Sequence, residues 1–209
     1  MERMQTLKKT ARVLVCLLPV ATLFAGHASL PELPQLSLLN AVVLLLGACF
    51  IVYCAGSRKF RLPLGHAAPY AGVLILLAAY GALSLLWVKN FSYSYNIYIY
   101  QALGVAAALC MAAVLRQRAH LLRFLDVLTL CYVFTVCVGI YEIFTGHFIF
   151  SPSNDQLQLK NAYNLWFPYV TFNNTNDYAT YVILFFPFAA YTPVSYTHLR
   201  AHETCADLV

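Results

Sequence analysis

The sequence predicts an all-α polytopic integral membrane protein of about six transmembrane helices with a cytoplasmic N-terminus, and three observations predict it. First, 61% of the residues are hydrophobic and 10% are charged, more apolar surface than a soluble domain can hide from water. Second, the apolar residues fall into six runs, at 11–28, 36–56, 67–88, 97–115, 121–146 and 177–192. Each approaches or exceeds the roughly 20 residues that cross the hydrocarbon at about 1.5 Å per residue. In lipid only a helix satisfies its own backbone hydrogen bonds without partners, so the runs are expected to be helical. Third, the cations segregate. With the N-terminus inside, the inner segments hold Arg3, Lys8, Lys9, Arg12, Arg58, Lys59, Arg61, Arg116, Arg118 and Arg123, and the outer ones only Lys89 and Lys160. Glu32, Asp155 and Asp177 all fall outside. That asymmetry sets the orientation, and it assigns the basic excess to the membrane and not to nucleic acid.

Taken in order, the first run has a basic start and a small-x-small ending, Gly26-His27-Ala28. A cleaved signal peptide is therefore an alternative to a signal anchor, although five further runs make an anchor sufficient. Leading into the fourth run lies FSYSYNIYIY at 91–100, preceded by Trp87, which suits an interfacial aromatic belt. The fourth run carries Gly104, Ala108 and Ala112 at four-residue spacing, expected to be a close helix-packing face. Cys16, Cys49, Cys54, Cys110, Cys131 and Cys137 all sit inside runs without metal-type spacing; they read as small hydrophobes, with no disulfide framework implied.

The last seventeen residues, PVSYTHLRAHETCADLV, break this pattern. Back-translated, they can be written as the transposase end and adapter of a sequencing library. Residues 193–209 are therefore expected to be a non-native tail, and 1–192 the N-terminal transmembrane region of something longer.

The connection 147–176 is long for a compact bundle. It alternates at Asp155-Gln156-Leu157-Gln158-Leu159 and then turns aromatic at Tyr163, Trp166, Phe167 and Tyr169, suggesting an amphipathic segment on the membrane surface. Two carboxylates lie on the fifth run. Asp126 has Arg123 three residues back as a partner. Glu142, about 24 Å further along the helix, has no cationic neighbour in sequence; either a cation of a later segment pairs with it, or it sits in the headgroup layer. Asn173-Asn174-Thr175-Asn176-Asp177 opens the sixth run. Its residue types favour a helix N-cap, with direct substrate contact as the alternative. The residues offer no Ser/His/Asp set, metal cluster or glycine-rich phosphate loop, so no metal or other cofactor is expected.

GIYEIFTG at 139–146, followed by TFNNTNDYATYVILFFPFAAY at 171–191, resembles the O-antigen ligase/polymerase family of bacterial membrane enzymes. Likeness is close over roughly 139–191 and elsewhere is a pattern of hydrophobic segments. Against the family's aromatic-Gly-Asn-Pro-Asn-Asp form, Asn173 replaces the glycine, a mild change because Asn tolerates left-handed backbone. Thr175 replaces the proline and loses a rigid turn. The resemblance implies transfer of a glycan from undecaprenyl diphosphate to an acceptor glycan at the outer face of the cytoplasmic membrane. The arginines and histidine credited with that chemistry lie in a later outer loop, so the catalytic residues are unknown here. Glu142, Asn174, Asn176 and Asp177 remain as candidate substrate-binding residues. A transporter or flippase for lipid-linked glycan, or a non-catalytic membrane component of polysaccharide assembly, stands as the alternative.

Overall fold

A computed structural model describes the backbone of residues 2–24, 29–30, 33–57, 65–150, 161, 163–172 and 174–206. Side chains are described for 5–24, 39–52, 65–150, 161, 163–172 and 174–191. The chain is an all-α membrane protein. Its helices are α1 (Glu2–Leu23), α2 (Leu38–Ser57), α3 (Ala68–Ser84), α4 (Phe91–Val114), α5 (Arg118–Thr145) and α6 (Thr175–Ala206), with a 3-10 turn at Gly65–Ala67 before α3. Gly65–Ser84, Phe91–Val114 and Arg118–Thr145 are long and apolar enough to cross a bilayer. A small antiparallel ribbon, β1 (Ser29–Leu30) with β2 (Leu33–Ser37), lies between α1 and α2. Hydropathy did not foresee it, because Leu36 and Ser37 read as the start of the second run while their backbone pairs across the ribbon.

The contacts divide the chain into two units, 1–18 with 39–121 and 19–38 with 122–209. In the first, α3 and α4 form an antiparallel hairpin. Pro69 occupies the first turn of α3, where its missing amide is no loss. Asn90 caps α4 by accepting the Tyr93 amide at 3.2 Å, which starts that helix at Phe91 and puts most of the aromatic belt in its first turns. Gly104, at the head of the expected small-residue stripe, is not where α3 and α4 meet. A Cβ at Gly104 would meet nothing within 4 Å, whereas one at Gly81 would lie 2.8 Å from Gln101 Oε1 and 3.2 Å from the Tyr98 ring. Gln101 then donates to the Leu77 carbonyl at 3.3 Å. The α3–α4 contact is thus built on one glycine under a glutamine.

In the second unit α5 and α6 enclose an aromatic core. Leu23, Cys131 and Tyr181 form one buried cluster, and Val138, Val170 and Tyr178 another. Tyr181 stacks on Tyr132 and lies 5.2 Å from Phe172 and 4.8 Å from Phe185 between ring centroids. Of the three long apolar helices α5 is the most enclosed, with 33% of its apolar window buried against 6% and 11%, so it organises this half. Helix α6 continues past residue 192 to Ala206; the backbone course does not bear on the origin of residues 193–209.

Candidate functional site

The two sequence signatures meet at the C-terminal end of α5. Gly146 ends that helix in left-handed conformation (φ 70°), and its amide returns to the Glu142 carbonyl at 2.9 Å, an αL cap for which glycine has no Cβ penalty. A second reason for glycine is the Trp166 indole, which lies where a Cβ at Gly146 would be. Neighbouring carbonyls of the last turn are also satisfied. The Trp166 amide donates to Ile143 O at 3.2 Å, and Thr145 Oγ1 donates to Tyr141 O at 2.7 Å. Phe148 braces the returning chain, edge-on to Trp166 and Tyr169.

At the centre is Glu142, with none of its surface exposed. Its Oε2 accepts the backbone amides of Tyr169 at 2.9 Å and Val170 at 2.8 Å. Those amides belong to a tight turn closed by the Phe172 amide on Tyr169 O at 2.8 Å, within which Val170 is fully buried at φ 54°. A β-branched residue in the left-handed region costs of order 1–3 kcal/mol and persists only where its surroundings over-determine it. Here the two hydrogen bonds to Glu142 and burial do so. Glu142 Oε1 and Thr171 Oγ1 are both buried and, among the described residues, have no hydrogen-bond partner.

Upstream of the turn, Asn161 accepts the amides of Tyr163 and Leu165 through Oδ1, and Asn164 takes φ 61°; together they reverse the chain toward α5. Downstream, Asn174 caps α6. Its Oδ1 accepts the Asp177 amide at 2.9 Å while its Nδ2 donates to Asp177 Oδ2 at 2.8 Å. Asn174, Asn176 and Asp177 are exposed, on the positive end of the helix dipole. One turn into α6 begins the contact with α5: the Tyr178 hydroxyl sits where a Cβ at Gly139 would be. Gly139 therefore faces the α6 start within the second signature, while Glu142 and Gly146 face the strained turn and the Trp166 segment that lead into it.

The structure thus places Glu142 against loop amides inside the protein, and the Asn174–Asp177 group at the surface. These are two separate environments joined through the 169–172 turn. Gly139, Trp166, Val170 and Tyr178 were not named as site residues from sequence. The two glycines bounding GIYEIFTG were a readable signal, whereas nothing in the sequence marks Val170 as left-handed. The alternation at 155–159, Lys160 and Asn173 lie outside the described residues.

Compared with known proteins, the chain is 23% identical over 153 residues, 72% of its length, to the teichuronic acid biosynthesis protein TuaE of Bacillus subtilis (strain 168). The match covers 31% of that protein, so the chain spans about a third of the relative's length. No family model matches, and no solved structure matches.

Proposed function

We propose that the chain is the N-terminal part of a membrane glycosyltransferase-type ligase or polymerase in cell-surface polysaccharide biosynthesis. It would transfer a glycan from undecaprenyl diphosphate to an acceptor glycan at the outer face of the cytoplasmic membrane. The observation that carries the polysaccharide role is the similarity to a teichuronic acid biosynthesis protein over 72% of the chain. Ligase or polymerase chemistry, and the undecaprenyl donor, rest on the resemblance of 139–191 to the O-antigen ligase/polymerase family. The fixed turn on Glu142 suits that reading because substrate-positioning loops are effective only when held rigid.

In such a transfer an acceptor hydroxyl oxygen bonds to the anomeric carbon, and the bond from that carbon to the diphosphate oxygen breaks. The acceptor proton passes to a base, and the diphosphate departs with its electron pair. Cationic donors must stabilise the departing charge; the family resemblance assigns these to a later outer loop. The described residues would supply the platform. Asn174, Asn176 and Asp177 would meet sugar hydroxyls at the head of α6, and Glu142 would hold the adjoining turn from inside the protein.

Deletion of the gene in its host tests this. Loss of long surface polymer, with lipid-linked glycan accumulating where a membrane-impermeant glycosidase reaches it, is the expected result. Accumulation on the inner face instead would indicate the flippase reading, and unaltered surface polysaccharide would contradict both.

A further inference from the structure

A different region of the molecule carries a second site, independent of the glycan reading. Within the first unit a cavity of about 420 Å³ opens between α1, α2, α4 and the start of α5, within the usual range for small-ligand sites. Its lining combines apolar side chains, among them Leu46, Phe50 and Val114, with the cations Lys8, Arg12 and Arg116, and His120 also borders it. Lys8 and Arg12 are four residues apart on one helix, so their like charges repel across a single turn, and Arg116 brings a third cation to the same space. The Arg116 guanidinium lies over the 3-10 turn at Gly65, where a Cβ would lie 3.3 Å from Nη2. Gly65 takes φ 52°, so a larger residue would be both crowded and strained there.

A cavity lined by both cations and apolar side chains, at the end of the bundle that the charge asymmetry assigns to the cytoplasm, matches an amphiphile with an anionic head. We propose that it binds the phosphate of an anionic glycerophospholipid of that leaflet. The phosphate oxygens would lie between Lys8, Arg12 and Arg116, and the first acyl carbons along Leu46, Phe50 and Val114. Juxtamembrane cations attract anionic headgroups individually; three converging on one cavity would convert that attraction into a site.

Native mass spectrometry of the full 209-residue chain, released from bilayers of mixed phosphatidylglycerol and phosphatidylcholine, tests it. The expected result is preferential retention of phosphatidylglycerol, reduced about tenfold or more by the double substitution Arg12→Gln/Arg116→Gln. The charge-matched control Lys9→Gln/Arg118→Gln, at exposed positions outside the cavity lining, should leave the preference intact. Arg12→Lys/Arg116→Lys should keep most of it, which separates lost charge from lost fold, with helical content followed by circular dichroism. Equal loss in the two Gln double variants would overturn the site in favour of diffuse surface attraction. Absence of any preference between the lipids would overturn it as well, and so would binding of inorganic phosphate without lipid preference, which would assign a free-anion site.

Discussion

Glu142 is an acidic side chain enclosed near the C-terminal end of a membrane helix, and such a group is tolerable only where hydrogen bonds replace water. Its two backbone donors are themselves buried, so the partners depend on each other. Glu142→Ala leaves both amides without an acceptor and is expected to destabilise the protein by about 3–5 kcal/mol, read as a lowered thermal unfolding midpoint in detergent. Glu142→Gln keeps one acceptor oxygen, and its cost should be clearly smaller, about 1–2 kcal/mol. Val170 permits a sharper test, since burial and backbone conformation act on it in opposite directions. Glycine at this position removes more buried carbon than alanine does but relieves the left-handed strain, worth about 1 kcal/mol or more. Val170→Gly should therefore be no more destabilising than Val170→Ala. The reverse order, by about 1 kcal/mol as at ordinary helix positions, would mean that the turn is not strained.

Between elements, the same chemistry gives glycines of opposite sensitivity. In an exposed helix Gly→Ala gains about 1 kcal/mol of propensity, and Gly104→Ala, facing open space, should be neutral or stabilising. Gly139→Ala would drive a methyl into Tyr178 and separate α5 from α6, at an expected net cost of about 1–3 kcal/mol. A second substitution, Tyr178→Leu, should recover part of that loss, and a thermal-stability double-mutant cycle reads the coupling. At the α6 start, Asn174→Ala removes the cap and should cost about 1 kcal/mol. These elements also show what sequence can carry. Six apolar runs each received a helix, since hydropathy and helix length are local properties. The cap at Asn174 was readable for the same reason, since capping depends on residues within one turn. The Gly104–Ala108–Ala112 stripe did not point to the α3–α4 contact at Gly81, because spacing identifies a small-residue face without identifying its partner. The role of Glu142 was unreadable because its ligands are amides 27 and 28 positions away, and backbone donors leave no mark on side-chain identity.

For the molecule as a whole, the placement of the cations assigns the α3–α4 connection to the outside and the α4–α5 connection to the cytoplasm. With the native cysteines replaced, Lys89→Cys should react with a membrane-impermeant maleimide on intact cells, and Arg118→Cys only after permeabilisation; the opposite pattern would invert the topology. With the expected topology the two signature segments would lie on the outer face, one at the end of α5 and one at the start of α6, tied through Glu142, Gly139 and Gly146. If that junction positions a glycan for transfer, its integrity should govern polymer output and not merely stability. A strain carrying Glu142→Ala in place of the wild-type gene, with the variant confirmed at normal level in the membrane, would be assayed for surface polysaccharide and outer-face lipid-linked glycan together. Polymer falling about tenfold or more while the lipid-linked precursor accumulates outside is the outcome expected here. Wild-type polymer length and amount would contradict a role for the clamped turn in glycan transfer.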